Sequence, residues 1–255
     1  MSDVPLTGAV ALVTGASSGI GAATARRLAN EGAAVALVAR RRDRLEQVAA
    51  EIVGVGRAAL VVEADITDPE SAEQSVMRTL DRFSRLDILV NSAGIMLLGT
   101  ALHTRRGEWD RMVELNIEAL LHVTHAAVPY LIDAASTSDR RVADIVNLSS
   151  AAARTPKAGS SVYTMTKLGL NGFTESLRQE LVLERVRVSL VEPDTVATEL
   201  IEHLDDATRD DARLQADSIE ALRPDDVADA IAYIVTREER VAINELVLRA
   251  GGQSW

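Results

Sequence analysis

Ala9-Val10-Ala11-Leu12-Val13-Thr14-Gly15-Ala16-Ser17-Ser18-Gly19-Ile20-Gly21 decides the fold. A short apolar, β-branched run to Thr14 reads as a buried strand. The glycine-rich turn that follows opens onto Ile20–Glu31, where apolar residues recur three and four apart as on a one-sided helix. In such a strand–turn–helix unit, glycine permits the tight turn, lets the backbone approach a bound group, and lets helix pack closely on strand. The helix N-terminus then presents free N–H groups and a positive dipole end, which suit the phosphates of a dinucleotide. A glycine turn alone also serves packing without any ligand, so the rest of the chain has to decide between the two.

Outward from this unit the pattern repeats. Further strands are predicted at Ala34–Ala39, Ala58–Glu63, Leu86–Asn91, Ala143–Leu148, Val186–Val191 and Ile243–Leu248, with the first at Ala9–Thr14. Between them, helical periodicity covers Arg42–Val53, Pro69–Phe83, Ser161–Glu184 and Asp225–Val235, and Glu108–Leu131 is long enough for one continuous helix. Alternation of this kind predicts βαβ units, hence an α/β fold: a single doubly wound domain over residues 1–255 with a seven-stranded parallel sheet flanked by helices. Asp133–Arg141 reads as a polar surface turn. The acidic, weakly periodic stretch 194–223 follows the sixth strand, on the edge where such sheets bind ligands, and is expected to be a substrate loop or lid.

Composition narrows the function. The chain has 255 residues, no cysteine and a formal charge of −11. That excludes a disulfide framework, a thiol nucleophile and cysteine-ligated metals, and makes nucleic acid or an anionic membrane an improbable partner. No long apolar run follows the N-terminus or approaches the roughly 20 residues of a membrane span, so a cytoplasmic protein is expected. His122 and His125 lie three apart, but no carboxylate pattern completes a metal site, and none is expected. Trp109 and Trp255 read as packing or interface residues, and the acidic residues Asp205, Asp206, Asp210 and Asp211 as a solvated face.

At the end of the second strand an acid would hydrogen-bond a ribose hydroxyl and favour NAD, whereas arginine suits a 2′-phosphate. Ala39 is followed by Arg40-Arg41-Arg42. Such a run can be a plain helix start; its place after a strand favours phosphate, and the guanidinium fork matches phosphate geometry. NADP(H) is therefore the expected cofactor. Tyr163 and Lys167 are four apart in a predicted helix and so share a face. Bringing a tyrosine near neutrality requires roughly three pKa units, about 4 kcal/mol, much of which a neighbouring ammonium could supply. The pair alone could arise by chance. Ser149-Ser150, at the carboxyl end of the fifth strand, adds a hydroxyl able to hold a substrate oxygen.

Together, Thr14 to Gly21, Asp65-Ile66, Asn91-Ser92-Ala93-Gly94, Asn116, Ser149-Ser150 and Tyr163 to Lys167 resemble the short-chain dehydrogenase/reductase family, in family order and over nearly the whole chain. The resemblance implies a Rossmann-type domain and an NADP(H)-dependent oxidoreductase moving a hydride between nicotinamide and a carbonyl or secondary alcohol. It implies Tyr163 as acid or base, and Lys167 lowering its pKa while bonding the nicotinamide ribose. Ser150, thirteen residues before the tyrosine, matches the catalytic serine, and Asn116 would hold a water linked to Lys167. Cofactor contacts are implied at Gly15, Ser17, Ser18, Gly19, Ile20, Gly21, Arg40, Arg41, Asp65, Ile66, Asn91, Ala93, Gly94, Tyr163, Lys167, Pro193, Val196 and Thr198. Asp65 reads equally as part of a helix-entry turn.

Two departures stand out. The usual glycine after Pro193 is Asp194, which leaves the geometry of that loop open, and the usual second asparagine of N-N-A-G is Ser92. Ile95 to Gly99 and Asn244 to Arg249 resemble the branch with clavulanic acid dehydrogenase and serine or allo-threonine dehydrogenases. Met96, Leu97 and Leu98 could wall an apolar substrate pocket or simply pack. The resemblance also implies a small-molecule substrate and a homotetramer or homodimer built through Glu108–Leu131 and Ser161–Glu184. An alternative reading is an NADP(H)-sensing protein that has kept the fold and lost turnover.

Overall fold

A computed structural model describes residues 4–199 and 221–252. The strands are β1 (Val10–Thr14), β2 (Ala34–Ala39), β3 (Ala59–Glu63), β4 (Ile88–Asn91), β5 (Ala143–Leu148), β6 (Val186–Pro193) and β7 (Glu245–Leu248). They form one sheet in the order β3-β2-β1-β4-β5-β6-β7, every pair parallel. The helices are α1 (Gly19–Asn30), α2 (Arg42–Gly54), α3 (Pro69–Phe83), α4 (Arg106–Val113), α5 (Ala119–Thr137), α6 (Ser161–Leu181) and α7 (Pro224–Val235). Because successive strand residues face opposite sides, the apolar strands feed two cores. Ala11 and Val13 join Leu28, Leu45, Val48 and Ile231 beneath α1, α2 and α7. Leu12 joins Val76, Val123, Leu131 and Leu177 beneath α3, α5 and α6. The chain winds outward from β1 to β3 and then returns through β4, so the strand order reverses between β1 and β4. A crevice at the carboxyl ends of those strands is where ligands of doubly wound sheets gather.

The helix expected at Glu108–Leu131 differs in two ways. A π-helical turn at Glu114–Glu118 separates α4 from α5, and α5 runs on through Pro129 to Thr137. The wider turn accommodates Asn116, whose buried amide turns inward to bond the chain after β4. The extension displaces most of the polar turn expected at Asp133–Arg141. Ser136 and Thr137 return their hydroxyls to the Asp133 carbonyl, so polar residues continue the helix, and only Ser138–Arg141 turns. Among the described residues no helix is long and apolar enough to cross a membrane.

Candidate functional site

The glycine-rich turn is shaped by close approach. A Cβ on Gly15, whose φ is +67°, would lie 2.9 Å from Ala93 Cα, and one on Gly21 would lie 2.4 Å from the Gly15 carbonyl oxygen. No side chain fits either place, so the turn presses onto the segment after β4. Thr14 secures that contact: its Oγ1 accepts from the Ser92 and Ala93 N–H groups at 3.0 and 3.1 Å. The motif pattern assigns Thr14 no role of its own; the signal for it in the sequence is a hydroxyl at the very end of an apolar strand. Ser92 keeps this geometry without the usual asparagine.

Arg41 lies across the same turn. It donates to Ser17 Oγ at 3.1 Å, to Ser18 Oγ at 2.7 Å, and to Glu199 at 2.9 Å. Arg40 projects into solvent, 3.8 Å from Asp65. Asp65 serves the helix entry, its Oδ1 accepting from the Thr67 N–H and hydroxyl, while the other oxygen faces Arg40. Two arginines and two hydroxyls therefore gather at the end of β2 beside the positive end of α1, a donor set that fits a phosphate. Not every implied contact faces this cleft. Asn91 is buried, donating to Thr124 and Asn147 at 2.9 Å, and the side chains of Ile20, Ile66 and Val196 pack into the two cores.

The second half of the site lies at the ends of β4 and β5. Tyr163 and Lys167 are both buried on α6, with the amine 5.9 Å from the ring centroid. Ser150 lies near enough to the Tyr163 phenol to act on its pKa, and its Oγ accepts from the Ala152 N–H at 3.1 Å. Burial raises the phenol above its ordinary value, and the Ser150 hydroxyl opposes this. The sequence expectation of a phenol drawn down by Lys167 is thus not what the packing gives. Lys167 donates to the Leu148 carbonyl at 2.8 Å and is itself lowered to about 8 by burial.

Gly94 lies between these groups. A Cβ there would sit 3.2 Å from Asn116 Oδ1 and 3.7 Å from Lys167 Nζ, so the bare backbone lets Asn116 and Lys167 converge. Asn116 clamps the segment: Oδ1 accepts from the Ile95 N–H at 2.8 Å, and Nδ2 donates to the Ile95 carbonyl and to Thr166. Its amide donors are engaged in that clamp and not directed at Lys167. Tyr163 packs with Ile95 and Met112, and Met96, Leu97, Leu98 and Trp109 adjoin them, so these apolar residues surround the phenol.

The loop after β6 closes the cleft. The Asp194 N–H donates to the Leu248 carbonyl, continuing the pairing with β7, and Asp194 does not adopt positive φ. A residue other than glycine is therefore unstrained there. Thr198 lies against the turn, 3.3 Å from where a Gly19 Cβ would stand. Val196 bridges to Leu222, which joins the two ends of the expected lid, whose residues 200–220, with Asp205, Asp206, Asp210 and Asp211, lie outside the described residues, as does Trp255.

The profile of the short chain dehydrogenase family matches residues 9–209. A serine 3-dehydrogenase of Agrobacterium fabrum is 37% identical over 246 residues, covering 96% of this chain and 94% of that one. Among solved structures, a 3-ketoacyl-(acyl-carrier-protein) reductase from Brucella melitensis complexed with NADH superposes with a TM-score of 0.85 at 33% identity, covering 97% of this chain and 98% of its own. A short chain dehydrogenase from Burkholderia cenocepacia in complex with NADP gives 0.83 at 33%, covering 96% and 97%. Profile, relatives and topology agree, and the chain belongs to the short-chain dehydrogenase/reductase family of oxidoreductases.

Proposed function

We propose that this oxidoreductase is NADP(H)-dependent and interconverts a carbonyl compound with an apolar body and its secondary alcohol, with Tyr163 as the proton-transfer residue. The observation that carries the reading is the convergence of buried Tyr163 and Lys167 on α6 with the Ser150 hydroxyl, which lies near enough to the phenol to act on its pKa. Two hydroxyls that converge in this way can share one substrate oxygen. When bound, the dinucleotide supplies or accepts the hydride. Arg41 and Arg40 would hold its 2′-phosphate, Ser17, Ser18 and the N–H groups of α1 its other phosphates, and Lys167 and Thr198 its nicotinamide end.

In reduction, Ser150 donates a hydrogen bond to the substrate oxygen and polarises it. Tyr163 then gives its phenolic proton to that oxygen as negative charge develops there. Burial serves this direction: a phenol held above its ordinary pKa stays protonated at neutral pH and is ready as an acid. Lys167 sets the local charge, and Asn116 keeps the Gly94–Ile95 backbone where the cleft needs it. Met96, Leu97, Leu98 and Trp109 exclude water and favour apolar substituents. Exposed Leu121, Met165 and Leu168 on α5 and α6 support self-association through those helices.

The test is titration of the purified protein with NADPH and NADH, followed by cofactor absorbance against a panel of ketones, aldehydes and hydroxy acids. Tighter NADPH binding with consumption that vanishes in Tyr163→Phe is the expected result. Binding of neither cofactor overturns the reading. Biological activity that survives in Tyr163→Phe would point to a sensor.

A further inference from the structure

Glu192, next to last in β6, is a fully buried carboxylate in an otherwise apolar strand end. Burying a charge is costly unless its partners compensate, so the partners define what it is for. Arg154 Nε donates to Glu192 Oε2 at 2.5 Å, and Asn171 Nδ2 donates to Oε1 at 2.8 Å. Asn171 Oδ1 in turn accepts from Ser149 Oγ at 2.7 Å. Arg154 also bridges to Glu245 of β7.

This chain of contacts touches three elements that carry the reacting half of the candidate site. Ser149 precedes Ser150 at the end of β5, Asn171 lies one turn beyond Lys167 on α6, and Glu192 precedes Pro193 at the end of β6. Arg154 closes the short 3-10 turn Ala151–Ala153, whose Ala152 N–H is capped by the Ser150 hydroxyl. Glu192 therefore holds the segment bearing Ser150 from both sides: through Asn171 and Ser149 before it, and through Arg154 after it. An ion pair to a buried carboxylate is a poor device for stability, since well-packed apolar residues often do as well. It is a good device for fixing one arrangement of loop and strand, because any other leaves the carboxylate unpaired.

We propose that Glu192 is a positioning residue: by holding Arg154 and Asn171 it sets where the Ser150 hydroxyl stands relative to Tyr163. The effect on turnover rests on the function proposed above; the effect on the loop does not.

The experiment compares the full chain with Glu192→Gln, Arg154→Met and Arg154→Lys. It measures backbone hydrogen exchange over residues 149–155, the Kd for NADPH, and kcat and KM for a carbonyl that the unsubstituted protein reduces. Glutamine keeps the shape and one contact to Asn171 but loses the charged acceptor for Arg154. Glu192→Gln and Arg154→Met should each speed exchange in that segment about tenfold, with NADPH Kd within about twofold and kcat down roughly 10- to 100-fold, as small misplacements of reacting groups cost. Arg154→Lys should recover part of kcat, and the double variant should be no worse than the poorer single one, because the two act as a unit. Unchanged exchange over 149–155, or unchanged kcat with only a lower Tm, overturns the proposal. If Glu192→Gln fails to fold, the Arg154 pair of variants decides alone, since that side chain is 41% exposed. A chain that binds NADPH yet reduces no carbonyl defeats the hydride-transfer reading, while hydrogen exchange still decides the positioning role.

Discussion

The Arg41 guanidinium donates to the Glu199 carboxylate at 2.9 Å, joining the end of β2 to the loop after β6 across the glycine-rich turn. The same bond holds the Glu199 carboxyl below its usual pKa. A carboxylate and a phosphate would compete for one guanidinium fork. Both side chains are about half exposed, so their bond contributes at most about 1 kcal/mol. Glu199→Gln should therefore tighten NADPH binding about two- to fivefold and leave NADH unchanged, whereas Arg41→Ala should weaken NADPH alone. Calorimetric titration with both cofactors checks this. Equal effects on NADPH and NADH would mean that Arg41 meets no 2′-phosphate.

Tyr163 gives a kinetic expectation with a definite sign. Burial raises its pKa, so the acid form needed for reduction persists through neutral pH and declines only at alkaline pH. The base form needed for alcohol oxidation grows as pH climbs. Reduction rates should be flat up to about pH 7 and fall as Lys167, held at about 8, loses its charge, and oxidation rates should rise with pH, while Tyr163→Phe should lower both by about 10²- to 10⁴-fold. Paired pH–rate profiles measure this.

Lys167 couples the site to stability. Burial lowers its pKa from 10.5 to about 8. Between those values the unfolded chain binds more protons than the folded one, so this group's contribution to stability rises with pH in that window and its penalty is fully present below it. At pH 7 the penalty is about 3 kcal/mol, offset by about 1 kcal/mol for the bond to the Leu148 carbonyl. Lys167→Met should thus raise Tm at pH 7 by several degrees while abolishing turnover, and its advantage should fade towards pH 10.5. Melting curves across that range test it; an advantage that does not change with pH would contradict the assignment.

Thr14 offers a test of the cleft's framework. Its oxygen accepts two backbone N–H groups, so Thr14→Val, which keeps the shape, should destabilise by about 2 kcal/mol. It should also loosen the seat between Gly15 and Ala93 and weaken cofactor binding. Thr14→Ser should largely restore both. Denaturant titration and cofactor affinity on the two variants separate the hydroxyl from the methyl group.

By itself the sequence determined the layered architecture and put forward the candidate residues of the site. Strands buried on both faces must be apolar, helices on the outside must be one-sided, and Gly15, Ser150, Tyr163 and Lys167 stand at fixed offsets from strand ends and helix starts. Those are local constraints, and local constraints are written in local sequence. What side chains do for one another across the fold is not. Asn116 reads as a polar residue in a long helix, and only the tertiary structure turns it through a π-helical turn onto Ile95. Arg41 and Glu199 are 158 residues apart, and Arg154 and Glu192 are 38 apart. The direction of the Tyr163 shift was likewise decided by packing: the spacing to Lys167 specifies a neighbour, but burial sets how much each charged form costs. Pairings and burial depend on how separate elements stack in space, and that information exists only once the sheet has closed around its two cores.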